Sequence, residues 1–572
     1  MCSQLWPRLA STGSHLRLFL YTPIQAAMPS TPLKSPATRL ATRSPKKETD
    51  FFKSENVLYA KLPFELYIRI FEHLEFWEIL RCMRVCSLFK KLITETASLQ
   101  YIIELAVDTL RNEPNCILPS TLRLEKLKKH REAHRQLKYN REIRIPVERE
   151  GLWELCGGVL AQNIEDGKLI FHQFPSDLRS IEERTWTVDE KFGFTVRDFA
   201  MDPSQDLLVL VENADWSLPD EKLETRLHLR SLSTGKKHPL VPKPGFLSLA
   251  GTIRDEQVSY IVQVFGTAVS LFIEADEYSE LAIWDWKSGR RLFVLASDHL
   301  YAFTMLSEDW VLLCVTNDLF DPLLATVDFR QESPERQDTD QIKLIHKFHY
   351  PEQPINLPFR DAVIRADPGP LPKPGNTSGD TPFSQDPREF IIVVQMMFYD
   401  DNRMPFEDPD EDRKEFLHFI PAHYLLSLSK ENTPSPASNF RWKRWAPIET
   451  RLLDFWGSPS ATWVCYVYGT RYAFLAADAE KPGLMVNVCD FNQLAIGRDS
   501  GGTTMSSGNL VKKTKTVTDA QGIFRKSVHT RLPFWYRTLH IADAHDHCSV
   551  LCSEDALILV DEECGEYRIF VF

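Results

Sequence analysis

From about Ile145 to Phe572 the apolar residues of this chain follow a period of two, and helical spacing nearly disappears. Short runs recur with turn residues between them, among them Lys168-Leu169-Ile170-Phe171, Leu207-Leu208-Val209-Leu210-Val211, Val311-Leu312-Leu313-Cys314-Val315 and Ile391-Ile392-Val393-Val394. Runs of this length, rich in β-branched residues and bounded by turn formers, read as strands. A stretch this long with few helices must bury strands against strands. The uncharged run Val258–Ile273 fits the pattern, because Gly266-Thr267 divides it into two strands. It is too short and too β-branched to read as a membrane-spanning helix.

A weak repeat runs through this region. Leu281-Ala282-Ile283-Trp284-Asp285-Trp286-Lys287-Ser288-Gly289 is the clearest copy. Residues 227–237 align with it without the Trp-Asp pair, and Ala325-Thr326-Val327-Asp328-Phe329 keeps the Asp. Val488-Cys489-Asp490-Phe491 and Leu559-Val560-Asp561 are decayed copies. A strand ending in Asp before a Ser/Thr-Gly turn, at a period of about forty residues, resembles a WD-type propeller blade. Phe199 to Asp206 resembles the hairpin that opens such a blade. The resemblance implies four strands per blade, with neighbouring blades supplying the core that one blade lacks. The expected fold class is α+β multidomain: small all-α elements, then a large all-β domain that is a degenerate β-propeller of about seven blades. A pair of β-sandwiches or another β-rich fold is the alternative. The strand near Gly158-Val159-Leu160 is expected to pair with Tyr567–Phe572 and close the ring.

The helical part precedes this region. Leu62, Leu66, Ile70 and Leu74 fall four apart and share one helix face. Pro63 suits the first turn. Ile79, Leu80 and Met83 begin a second stripe, and Leu88, Phe89 and Leu92 a third. Helices of about three turns are not stable alone in water, so these residues pack together, against other parts of the chain, or against a partner. Leu62-Pro63-x-Glu65-Leu66-x-x-x-Ile70-Phe71-x-x-Leu74, then Leu80-x-x-x-x-Val85-Cys86-x-x-Phe89-x-x-Leu92, resembles an F-box. Phe89 stands where that family most often has Trp. The resemblance implies docking onto the Skp adaptor of an SCF (Skp–cullin–F-box) ubiquitin ligase. It assigns Leu62, Pro63, Glu65, Leu66, Ile70, Leu74, Leu80, Val85, Cys86, Phe89 and Leu92 to the adaptor-binding surface or its support.

The chain then divides into a disordered basic Ser/Thr/Pro-rich tail (1–54), the F-box (55–100), a helical linker (101–144) and the β-rich domain (145–572). Loop insertions are expected near 351–388, 400–415 and 498–522. Met28 is an alternative start, and Thr31-Pro32, Ser35-Pro36 and Ser44-Pro45 resemble proline-directed phosphorylation sites. In the linker, Ser120 or Thr121 can cap a helix running to about Tyr139. Its Lys, Arg and His residues read as a solvated face.

A net charge of −12 argues against a dominant nucleic-acid role. The eleven cysteines are scattered without Cys-x-x-Cys, which suits free thiols in a reducing compartment. His545-Asp546-His547-Cys548 with Cys552 has metal-ligand side chains, but Ser549-Val550-Leu551 reads as the start of a strand. A loop-to-strand junction is the expectation, with no metal. Arg230, Arg290, Arg291, Arg441, Arg444 and Arg471 lie near strand ends and read as solvated turn residues. No phosphate loop, nucleophile elbow or His-Glu-x-x-His motif occurs. No catalytic residue, no cofactor, no nucleic acid and no membrane partner is expected. The leading expectation is a non-catalytic substrate-recognition subunit, cytoplasmic and/or nuclear, joining the Skp adaptor and cullin scaffold to an unknown protein substrate. An F-box scaffold without ligase function and a β-propeller enzyme are the alternatives.

Overall fold

The computed structural model describes residues 62–572, apart from 149–150, 165–166, 213–222, 251–257, 276–277, 344, 355–356, 368–379, 400–412, 432–437, 455–464, 478–481, 500–508, 512–515, 519–521 and 546. The N-terminal tail with its Ser/Thr-Pro sites and Met28, and the acidic run 408–412, lie outside the described residues. The chain divides into two compact units, with a boundary between Gln100 and Tyr101.

The smaller unit contains α1 (Phe64–Glu72), α2 (Phe76–Cys82), α3 (Ser87–Glu95) and the first residues of α4 (Ala97–Val107). Local caps set these boundaries. The Glu78 carboxylate accepts from the Glu75 N–H at 3.0 Å, and Cys86 Sγ accepts from the Phe89 N–H at 3.5 Å. Tyr67, Phe71, Ile79, Ile93 and Leu99 are buried. The half-buried Phe89 ring packs on these aromatics, 5.1 Å from Phe71 edge-on and 5.4 Å from Tyr67.

The larger unit is a seven-bladed β-propeller, as the repeat implied. Its inner strands are Trp153–Cys156, Val196–Asp202, Ser259–Phe265, Leu300–Met305, Phe359–Arg365, Val467–Tyr468 and Cys548–Cys552, in blades 1 to 7. Each leads a sheet of four or five strands, antiparallel except for the added outermost strands of blades 3 and 4, which pair parallel. The apolar core sits between neighbouring blades: Leu227, Leu229, Val269 and Leu271 pack blade 2 on blade 3, and Phe293, Leu295, Leu313 and Val327 pack blade 3 on blade 4.

The Trp-Asp copy shows why the repeat is needed. Asp285 Oδ1 accepts from the N–H groups of Lys287 (3.1 Å) and Ser288 (2.9 Å), which bends the chain out of the third strand of blade 3. Gly289 takes the positive φ of 71° that completes this turn. The fully buried Trp286 donates its indole N–H to the Gly266 carbonyl at 3.1 Å and so ties that turn to the first hairpin of the blade. The copies ending at Ser231, Asp328 and Asp490 are also third strands. The copy at Leu559–Asp561 is not: Ala556–Asp561 is the second strand of blade 7.

Closure differs from the expectation. Glu566–Val571 pairs antiparallel with Arg141–Pro146, not with the strand at Gly158-Val159-Leu160. Val159–Ile164 instead pairs inside blade 1. The β-region therefore begins at Arg141 rather than at 145. The charges of Arg141, Glu142 and Arg144 hide the period of two, because an outer strand buries one face only.

The loop insertions also need correction. Phe359–Arg365, within 351–388, is the inner strand of blade 5, and Phe383–Gln385 pairs with Leu110–Asn112 of the linker. Residues 413–415 begin a long strand, and Asn509–Val511 and Thr516–Thr518 are short strands within 498–522. Proline density around 359–365 and 383–385, and Gly/Ser/Thr density around 509–518, masked their alternation.

The linker holds α5 (Ser120–Gln136), preceded by Pro119 at the cap position with no side-chain cap, so neither Ser120 nor Thr121 serves as the cap. Later helices are α6 (Ala422–Glu431), α7 (Trp442–Trp445) and α8 (Gln493–Asp499). No described helix is long and apolar enough to cross a membrane.

Deleting residues 566–572 is expected to abolish soluble expression, since blade 7 then loses its third strand and strand Arg141–Pro146 its only sheet. The fully buried Ile569 tests the same interface more gently. Ile569→Ala should lower unfolding free energy by about 2–5 kcal/mol in denaturant titration.

Candidate functional site

Two regions of chemical interest emerge, one in each unit. In the smaller unit the stripe Leu62, Leu66, Ile70 lies on the outer face of α1, because Tyr67 and Phe71 take the inner one. Leu66 is 47% exposed, Ile70 50% and Phe64 55%. Trp77, Leu80, Val85 and Leu88 continue this apolar surface, with Val85 at 67%. Pro63, Glu65 and Cys86 are exposed as well, and Leu74 and Leu92 are half-buried. Phe89, also half-buried, turns its ring onto Tyr67 and Phe71 and supports the others from beneath. Among the described residues, large exposed apolar side chains are concentrated in this short segment. Solvent-facing apolar patches of this kind mark binding surfaces.

In the larger unit, α5 lies over one end of the propeller. Its Lys128 and Lys129 are solvated as the sequence implied, but its Arg131 and histidines are not. The largely sheltered Arg131 pairs with both oxygens of Asp108 (2.6 and 2.9 Å) and with Glu104 (2.5 Å). His130 Nε2 lies 3.0 Å from Asp555 Oδ1, in the turn between the first two strands of blade 7. Arg179 of blade 1 pairs with the other Asp555 oxygen at 2.7 Å and with Glu554 at 2.5 Å. Arg471 of blade 6 donates to His134 Nδ1 at 2.7 Å and to the carbonyls of Ser553 and Glu554, so it too is not a solvated turn residue. Sequence reasoning missed this cluster because its partners lie hundreds of residues apart. These groups enclose a cavity of about 90 Å³.

Clustered histidines and carboxylates at one end of a propeller are what an enzyme would need. Here every group is engaged. Burial alone would raise the Asp555 carboxyl, but Arg179 and His130 hold it well below the usual carboxylate range. Burial, then the Arg471 guanidinium, holds His134 well below the ordinary histidine value. His130, His134 and Asp555 are close enough to share a metal ion, yet Arg179 and Arg471 already supply the positive charge. The arrangement is a buried ionic clamp. A second cavity of about 100 Å³ follows the propeller axis, lined by Glu154, Gln263, Thr304 and Arg365 of the inner strands.

Of the residues read as a cluster over 545–552, Cys552 stands apart. Cys552 is buried between blades 6 and 7, four residues down the strand from Cys548. All ten described cysteines are free thiols.

Comparison with known proteins agrees with this division. Residues 59–100 match the F-box-like family model. No curated protein matches the sequence. Among solved structures, hydrazine synthase from Kuenenia stuttgartiensis aligns over 74% of this chain and 94% of its own at 9% identity and a TM-score of 0.31. The WD40 domain of coronin from Toxoplasma gondii aligns over 70% of this chain and 87% of its own at 8% identity and a TM-score of 0.24. At these scores neither likeness bears on function.

Removing Asp555 leaves Arg179 short of a buried partner, and Asp555→Ala should cost about 3–5 kcal/mol in unfolding free energy. A pH series tests the histidines. His418, bonded to Tyr350 (2.9 Å) and Thr450 (2.8 Å), is held by burial down at about 3. A histidine with a lowered folded-state value binds fewer protons folded than unfolded, so stability falls as pH drops below the unfolded value of 6.5. His418→Asn should flatten that slope in denaturant midpoints measured between neutral pH and pH about 4.

Proposed function

We propose that this chain is the substrate-recognition subunit of an SCF-type ubiquitin ligase. The F-box-like helices bind the Skp adaptor and through it the cullin scaffold, and the propeller binds a target protein. The observation that carries this reading is the outward-facing apolar surface of Leu62, Leu66, Ile70, Leu80 and Val85. An apolar face exposed on so small a helical unit calls for a protein partner.

The mechanism is proximity. Holding the target on the complex raises the effective concentration of its lysines near the ubiquitin-loaded carrier enzyme. The chain supplies no chemistry in this scheme, which accords with the histidines and carboxylates of the α5 clamp being engaged by one another and by arginines. Cytoplasm or nucleus is the matching compartment, since the free thiols fit a reducing one.

The test is binding of the full chain to purified Skp adaptor by calorimetry, beside the double variant Leu66→Ala/Ile70→Ala. Both positions are exposed, so the fold should survive. Truncating interface anchors costs about 2 kcal/mol or more, so binding should weaken at least ~30-fold. Equal binding by the variant, or none by the native chain, overturns the reading. Adaptor binding without cullin-dependent ubiquitin transfer to any captured partner would instead indicate a scaffold.

A further inference from the structure

We infer that His545, Cys548, Asp561 and Cys564 form a zinc site on blade 7, at the end of the propeller opposite α5. The ligand atoms of His545, Asp561 and Cys564 all lie within 4.8 Å of one another. Cys548 stands directly across from Asp561 in the antiparallel register of the first two strands of the blade. Cross-strand partners project to the same side, with Cβ atoms about 4.5–5.5 Å apart. That register places Cys548 beside the three, as the fourth donor that a bound ion would draw in.

The spacing supports this assignment. His545-x-x-Cys548 and Asp561-x-x-Cys564 each separate two donors by two residues, the spacing of zinc-binding turns. Both are folded as tight turns. The Cys548 N–H donates to the His545 carbonyl at 3.2 Å, and the Cys564 N–H donates to Asp561 Oδ1 at 2.9 Å. The sequence showed only the first pair, and Cys552 was the wrong partner for it. Strand pairing brings in the second.

The local charge also favours a cation. Asp561 is itself a carboxylate donor, and Glu562, Glu563 and Glu566 flank the turn that carries it. The nearest cationic side chain, Arg568, is taken by Glu142 (2.9 Å) and Asp543 (3.0 Å). Two thiols, an imidazole and a carboxylate suit zinc rather than calcium or magnesium, and a bound ion would hold both thiols as thiolates. With four protein donors the site is closed and structural. It pins the segment entering blade 7 to the turn between that blade's second and third strands. This inference does not depend on the ligase reading.

The test is elemental analysis of the full-length chain purified without chelator, followed by cobalt exchange. A single zinc ion per chain should survive dialysis, and the cobalt form should show a thiolate-to-cobalt charge-transfer band. Cys564→Ser and His545→Ala should each weaken retention by at least about 10–100-fold. Both residues are exposed, so the variants should keep the circular dichroism of the native fold. His547→Ala should retain zinc, since His547 faces Glu563 at 3.7 Å instead. A native chain with no zinc, even after incubation with zinc, and no cobalt band overturns the site. So does a Cys548–Cys564 disulfide in the metal-free protein. Loss of zinc in His547→Ala overturns the assignment of His545.

Discussion

The pairing of Arg141–Pro146 with Glu566–Val571 is the contact on which the larger unit depends. A ring of twisted sheets has no exposed edge only while it stays closed, and an open ring would present two. Blade 7 is completed by the strand that precedes blade 1. That strand follows α5 directly, so closing the ring also brings the helix over one end of it. Arg568 reinforces the seam by pairing with Glu142 of the closing strand. Both ends of the same blade carry the polar chemistry of the domain. Asp555 anchors α5 at one end, and the His545–Cys564 cluster sits at the other.

The clamp under α5 explains why a helix so rich in Lys, Arg and His belongs in an acidic protein. A buried guanidinium is tolerated only when paired and hydrogen-bonded. Arg131 is satisfied by Glu104 and Asp108, and Arg179 by Glu554 and Asp555. Replacing such pairs by apolar residues is often neutral for stability, so their value here is specificity. They fix α5 over blades 6, 7 and 1 in one register, where an apolar helix could slide.

Local period was legible in the sequence, and place in the ring was not. The uncharged run 258–273 forms two strands about Gly266-Thr267, as its β-branched residues dictate. Asp285 and Gly289 fold their turn through contacts within a few residues, so that motif survives translation into structure. Leu559–Asp561 carries the same local pattern on a second strand, because a strand that ends in Asp looks alike wherever it lies in a blade. The partners of Arg179 and His130 lie 376 and 425 residues away, beyond any local signal. The closing strand was missed for a related reason, since it buries one face and reads as charged.

The small helical unit poses the opposite problem, because α1 is apolar on two sides. Leu62, Leu66 and Ile70 recur at four, and so do Tyr67 and Phe71, so periodicity alone cannot say which face turns inward. Aromatic packing decides it. Phe89 of α3 meets Tyr67 and Phe71, and large rings bury more area than the leucines would. The aliphatic stripe is therefore left outside. A unit of about forty residues buries too little surface to be robust alone. An exposed stripe of Leu, Ile and Val on such a unit is a liability unless something covers it. Covering it would bury apolar surface at about 25 cal/mol per Å². On the reading proposed here, adaptor binding and the stability of this unit therefore rise and fall together.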